Sequence, residues 1–337
     1  MPEMGMIPSP VDQRDYQYAH YGEMYSTDEL PDEYLPEYLP PVEDQGAVAS
    51  CVAFSSMMVR ELQEQDELGY PVRLSRNFAY HYRPSAYFWQ GKGVVPREHL
   101  NTLRRYGAPP EIYWPGNDER GSETEPNPFE EVLRAALPHR IGSYTAVDPR
   151  FIPEAKSAVY SRSGILLGVP IHTNFRPDSD GVIPYPSGNL VGYHMMPSLA
   201  YLRSLWVVPN SWGQGWGPGV NLPDGRHLPG YCYIPWSYPI VECWTTVDQP
   251  TVQETRLIVI EGDPVMYRDG QPLPAVDLAP YLADVPGGHR FVASMRHIIE
   301  ALGGEIVAWG KYLPDHPKWP AKMWFDAKLV NKPWPRT

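Results

Sequence analysis

Three residue types set far apart constrain this chain most: one cysteine, one histidine and one asparagine, each in distinctive company. Cys51 lies in Gln45-Gly46-Ala47-Val48-Ala49-Ser50-Cys51-Val52-Ala53-Phe54-Ser55. His194 follows on the order of 140 positions later, and Asn210 opens Asn210-Ser211-Trp212-Gly213-Gln214-Gly215-Trp216-Gly217. A thiol beside an imidazole that a third polar group orients makes a nucleophile. Phe54, Met57, Met58 and Leu62 recur at three- and four-residue steps, which predicts a helix over 51–66 with Cys51 at its start. The helix dipole favours an anion there by only about 0.3–1 kcal/mol, or about 2 when partly buried. Lowering a thiol by about 4 units takes roughly 5–6 kcal/mol. The dipole therefore falls short, and an imidazolium partner, His194, must supply most of any thiolate.

Gln45–Ser55 resembles the active-site segment Q-G-x-C-G-S-C-W-A-F-S of papain-like cysteine peptidases, and Asn210–Gly217 resembles their N-S-W-G-x-x-W-G segment. The two lie in the family's order, and the separations fall in the roughly 130–150 residue window for its His and Asn. The resemblance covers roughly residues 7–245 and implies an α+β, two-subdomain fold, with a helical part carrying Cys51 and a β-barrel part carrying His194 and Asn210. It also implies roles. Cys51 is the nucleophile, His194 the base, and Asn210 the group that orients the ring. The Gln45 amide, with the Cys51 N–H, meets the oxyanion. Trp212 shields the Asn–His bond from water, and the Gly91-Lys92-Gly93-Val94 run matches the glycine strand that pairs with substrate. This copy departs from the pattern at Val48 (usually Cys), Ala49 (usually Gly), Val52 (usually Trp), Tyr193 (usually Gly, Asp or Asn) and Met195 (usually Ala). Gly93, Ala49, Tyr193 and Trp212 are the candidate substrate-binding residues, and subsite preference is left open.

Composition sets outer limits. A chain of 337 residues suggests about two domains. Forty prolines imply many irregular connections. The net charge is −12, and residues 1–45 hold eleven Asp/Glu against Arg14 as their one Lys or Arg. This argues against nucleic acid or an anionic membrane as partner. The acidic front, residues 1–44, reads as an extended, solvated arm, with a docking segment as the alternative. No apolar run is long enough to span a membrane. The N-terminus has neither the basic nor the apolar region of a signal peptide, which predicts a cytoplasmic protein on synthesis, with a virion as one route outside. Some forty residues precede Gln45, so the family's usual helical propeptide of about a hundred residues is expected to be missing. Cys232 and Cys243 read as two inert thiols rather than a disulfide. Metal-ligand spacing is absent, and no metal or cofactor is implied.

Further helices are expected from Ser75, a plausible N-cap, to Tyr82, over 97–106, 129–137 and 153–162. Gly164–His172 reads as a buried strand, followed by strands carrying His194, Trp206-Val207-Val208 and Tyr231-Cys232-Tyr233-Ile234. Met6-Ile7-Pro8 to Arg14-Asp15-Tyr16 resembles the lead-in of bacterial and phage papain-like proteins. After Cys243, residues 254–337 resemble the copper amine oxidase N-terminal-like module, carried by the Phe291–Trp309 stretch with its Ala301-Leu302-Gly303-Gly304-Glu305 turn. That module implies a small α+β add-on and no copper. Arg256–Ile260 and Val265–Gly270 read as a strand pair. The tryptophans Trp309, Trp319, Trp324 and Trp334 suggest an assembly or cell-envelope partner for this segment. The domains expected are thus an arm over 1–44, a peptidase over 45–248 and an accessory domain over 254–337. The function expected is cysteine endopeptidase. The rival readings are a catalytically idle structural or binding part of a virion, and acyl transfer to an amine through the same triad.

Overall fold

The computed structural model describes residues 4–13, 15–82, 93–117, 125–161 and 164–248, and beyond them five strands. The chain divides into two units, Met1–Gln249 and Pro250–Thr337. Among the described residues the α-helices of the first unit are α1 (Tyr18–Tyr21), α2 (Cys51–Leu68), α3 (Arg76–His81), α4 (Pro96–Tyr106), α5 (Phe129–Ala136) and α6 (Ile152–Tyr160). Its strands are β1 (Glu33–Tyr34), β2 (Ile141–Ala146), β3 (Ile165–His172), β4 (Leu190–Ser198), β5 (Ala200–Leu202), β6 (Leu205–Pro209), β7 (Val220–Asn221), β8 (His227–Leu228), β9 (Tyr231–Pro235) and β10 (Glu242–Asp248). Helices thus dominate up to residue 160 and strands follow, as the sequence pattern predicts.

Helix α2 is the axis of the helical half. Its apolar spacing reports one face only, because every residue from Cys51 to Glu64 is buried. The polar ones are matched internally, as buried charge requires. Glu61 pairs with Arg76 of α3, whose Nη2 donates to Glu61 Oε2 at 2.8 Å. Glu61 Oε1 also accepts from the Leu74 amide at 2.8 Å. Glu64 takes Arg60 at 2.5 Å and His139 at 2.9 Å. Gln63 Nε2 donates to the Thr246 carbonyl on β10 at 2.9 Å, which ties the helix to the sheet. Ser75 caps α3 as expected: its hydroxyl accepts from the Phe78 amide at 3.0 Å.

The strands form two four-stranded sheets, ordered β2-β10-β3-β4 and β1-β5-β6-β9, with β7 and β8 as a separate pair. These sheets meet where β4 runs through Leu199 into β5, and the Leu199 amide donates to the Val207 carbonyl of β6 at 3.4 Å. The barrel expected of this half is not closed by strand pairing among the described residues; the corner at Leu199 joins two open sheets instead. Strand β3 is buried along nearly its whole length between β4 and β10, and its register sets Val169 opposite His194 and Gly168 opposite both Met195 and Glu242. One apolar cluster packs α2 against β4 and its neighbours through Met57, Val59, Leu62, Leu166, Met195 and Leu199. A second fills the sheet side around Val169, Trp206, Val208 and Trp212.

The acidic front is extended but not a solvated arm. Glu33 and Tyr34 pair with Leu202 and Tyr201, while Tyr18, Leu30, Leu39 and Val42 are buried in the first unit. Its apolar residues, which charge counting ignores, hold it down. Cys51, Cys232 and Cys243 are all buried, unpaired thiols.

In the second unit five strands form one sheet, β13-β12-β11-β15-β14: β11 (Thr255–Ile260), β12 (Met266–Arg268), β13 (Gln271–Pro272), β14 (Gly304–Gly310) and β15 (Trp324–Leu329). The expected strand pair is present, with Ile258 opposite Tyr267. The stretch 291–303, most of the residues carrying the module resemblance, lies outside the described residues, as do Trp319, Trp334, Gly91 and Lys92. Among the described residues no helix is long and apolar enough to cross a membrane.

The buried Arg76–Glu61 pair yields a stability prediction. Arg76→Met should cost about 3–5 kcal/mol in urea unfolding, because it strands a buried carboxylate. Arg76→Met with Glu61→Leu should recover much of that loss. A single-variant loss below about 1 kcal/mol would show the pair is not buried as described.

Candidate active site

Cys51 is the first residue of α2. The preceding loop is fixed at Gly46, whose φ is +58° and whose amide donates to Asp44 Oδ1 at 2.8 Å. Ser50 leaves the helix N-terminus without a side-chain cap. Its hydroxyl instead donates to Asn117 Oδ1 at 3.0 Å, and Asn117 Nδ2 donates to the Gln45 carbonyl at 2.6 Å. The amides of the first turn are therefore free to face the sulfur.

His194 lies on β4 in the sheet half, and Asn210 follows directly on β6, its amide donating to the Gly230 carbonyl at 3.1 Å. His194 Nε2 donates to Asn210 Oδ1 at 2.9 Å, with both residues fully buried. That bond leaves Nδ1 as the ring's basic nitrogen, and Nδ1 has no hydrogen-bond partner. Trp212 covers the imidazole, with ring centroids 4.8 Å apart, and is itself held by Phe175 and Trp216.

Two links bring the halves together. Ser55, one turn into α2, donates from its hydroxyl to the Met195 carbonyl at 2.7 Å, next to His194. Gln45 and Ser211 are bonded twice: the Gln45 amide donates to the Ser211 carbonyl at 2.8 Å, and the Ser211 hydroxyl to Gln45 Oε1 at 2.6 Å. Gln45 Nε2 gives one hydrogen to the Val48 carbonyl at 2.8 Å, so one N–H of that amide is left over. Tyr193 and Met195 flank His194, while Ala49 and Gly93 lie on the Cys51 side. Sequence reading did not single out Asn117, Ser211 or Ser55 for a positioning role. Ser55 and Ser211 sit inside the two motif segments; Asn117 lies outside any motif, and no sequence signal marks it.

Burial dominates the electrostatics. It pushes the Cys51 thiol up to about 11, although the backbone amides of Met195, Gly5 and Val52 pull the other way. It pushes His194 down to about 4, with the Asn210 bond opposing. In this state the pair is a neutral thiol and a neutral imidazole, not the thiolate–imidazolium pair that the sequence reading requires for attack. The missing factor is solvent, which stabilises both charged forms. Burial also raises Cys232 and Cys243 far above the ordinary thiol range, and no cationic group lowers them.

No protein-family model matches the chain, and no curated protein sequence matches it. Solved structures do. Xylellain, a cysteine protease from Xylella fastidiosa, superposes with a TM-score of 0.58 at 23% identity, over 73% of this chain and 96% of that one. The digestive procathepsin L 3 of Tenebrio molitor larval midgut matches at 0.47 and 17%, over 62% of this chain and 66% of that chain. The Carica candamarcensis cysteine protease CMS1MS2, in complex with E-64, matches at 0.45 and 19%, over 62% and 93%. The first likeness shows that the chain shares the mixed helix-and-sheet fold of xylellain over 73% of its length.

A pH prediction follows from two buried rings. His99, fully buried, contacts the Ser56 hydroxyl through Nε2 at 2.7 Å, and burial lowers it to about 4, like His194. The unfolded chain protonates both rings below about 6.5, and the native one does not until about 4. Stability should therefore be full above pH 6.5 and fall as pH drops toward 4, by about 3 kcal/mol for each ring. His99→Asn should remove roughly half of that fall in urea titrations between pH 7 and 4. A fall unchanged by the substitution would contradict the assignment.

Proposed function

We propose that the chain is a cysteine endopeptidase acting through Cys51, His194 and Asn210. The observation that carries this reading is the buried His194 Nε2–Asn210 Oδ1 bond beneath Trp212, which leaves Nδ1 as the ring's base, on a strand tied at Met195 to the helix that Cys51 begins. Once the site is wet, the Cys51 proton passes to His194 Nδ1 and the thiolate adds to a peptide carbonyl. The Cys51 amide and the remaining Gln45 N–H face the oxyanion. The intermediate collapses as His194 gives its proton to the leaving amine, forming a thioester. Water, deprotonated by His194, then releases the acid and restores the thiol. Ala49 and Tyr193 shape the cleft walls. Residues 254–337 serve in this reading as a module that tethers the enzyme to an assembly or envelope partner and plays no part in the chemistry.

Cys51→Ala and His194→Ala should each abolish hydrolysis of a fluorogenic peptide, and the double variant should be no worse than the worse single one, because such residues act as a unit. Gln45→Ala should cost about 10²–10³ in rate. Losses that multiply would show that His194 does not act on Cys51. Product masses in the presence of added amines distinguish hydrolysis from acyl transfer. A chain ending at Gln249 should keep full activity; a folded but inactive truncation would give the second unit a part in catalysis.

A further inference from the structure

The stretch Trp114–Asn117 lies across the N-termini of two helices. At α3, Ser75 Oγ donates to the Trp114 carbonyl at 2.5 Å, and the buried Asn77 donates from Nδ2 to the Pro115 carbonyl at 2.7 Å. Gly116 then turns the chain at a φ of +91°. At α2, Asn117 Oδ1 accepts from the Ser50 hydroxyl at 3.0 Å, and Asn117 Nδ2 donates to the Gln45 carbonyl at 2.6 Å. Asn117 is therefore a strut. The residues before it are anchored at α3, and its side chain holds both ends of the 45–50 loop that leads to Cys51.

The two helix starts are alike in sequence and differ in structure. A serine precedes each, and serine is a favoured cap. Ser75 lies at φ −68°, ψ 114°, and its hydroxyl both donates to Trp114 and accepts from the Phe78 amide at 3.0 Å. Donation alone thus does not stop a serine from capping. Ser50 lies at φ −108°, ψ 17°, outside the extended region normal for a cap, and it makes no capping bond. Its hydroxyl is held toward Asn117, with the Val48 carbonyl at 3.5 Å as its other contact. The consequence falls on Cys51. A cap takes the amide of the second or third helical residue, here Val52 or Ala53. Burial pushes the Cys51 thiol up, and the Val52 amide is among the groups that pull it back down. The Ser50 hydroxyl and the Cys51 sulfur are rivals for that N–H.

We propose that Asn117 is a positioning residue for the reaction: it holds Ser50 off the start of α2, so that the first-turn amides serve Cys51, and it steadies Gln45 from the carbonyl side. This rests on the peptidase reading of the site and deepens it. Without Asn117, Ser50 turns to the extended conformation and its hydroxyl takes the Val52 amide. The sulfur then loses a donor, and Gln45 loses one of its ties while the Ser211 clasp remains.

The test follows Cys51 ionisation in the full-length protein by thiolate absorbance, taken as the difference from Cys51→Ser. Asn117→Ala should move that titration to higher pH by about half a unit to one unit, the scale of one interaction at a helix end. Ser50→Ala alone, and Asn117→Ala together with Ser50→Ala, should both titrate as the wild type does, because neither carries a hydroxyl that could cap. General loosening of the loop would not be undone by a second truncation. An unmoved titration in Asn117→Ala overturns the proposal. So does an equal shift in the single and double variants, which would make Asn117 a structural tie only. Peptide turnover is read separately. In Asn117→Ala kcat should fall about tenfold with KM little changed, and the double variant should recover only part of it, since the Gln45 tie stays broken. A loss confined to KM would overturn the part assigned to Gln45. Titrations that behave as stated in a protein that hydrolyses no peptide would keep the role of Asn117 at the thiol and remove the peptidase reading.

Discussion

The clasp between Gln45 and Ser211 is the contact on which the site depends. It joins the loop before Cys51 to the loop after Asn210 by two hydrogen bonds, both from fully or nearly buried groups. Inside the protein such bonds are costly to break, because each orphaned group keeps its desolvation penalty. Ser55 repeats the tie one turn into the helix, at Met195. Together they set the start of α2 beside the strand that carries His194. Thiol and imidazole are held by different halves, so their relative placement depends on this junction and not on either half alone.

The same junction explains the neutral pair. Helix N-terminus, imidazole and asparagine lie in a region that excludes water, and exclusion disfavours both ions more than the amides around the sulfur favour the thiolate. The handful of kcal/mol needed to make a thiolate therefore cannot come from the helix dipole in a dry site. In the proposed peptidase reading it comes from His194 once solvent or substrate enters.

The helices and buried strands could be read from the sequence because their causes are local. Ser75 announces α3 by its cap, Gly107 ends α4, and the apolar run at Ile165–His172 marks a strand covered on both faces. The His194–Asn210 pairing was visible through motif order. What escaped was non-local. Nothing near residue 117 tells that Asn117 will bridge Gln45 and Ser50, and the apolar spacing of α2 does not tell that Arg60, Glu61, Gln63 and Glu64 are buried as well. The front of the chain was misjudged as solvated because its charge is spread along it, whereas its attachment depends on a few apolar residues and on glycine at position 5. The closed barrel was lost to the corner at Leu199.

The central claim is that His194 activates Cys51. The most direct measurement is mass-spectrometric mapping of covalent capture by a peptidyl epoxide, run in parallel on the wild-type protein and on His194→Ala. The account predicts a single adduct on Cys51 that forms readily with His194 present and is reduced by orders of magnitude without it. Equal capture in both proteins, or an adduct on Cys232 or Cys243 instead, would contradict it.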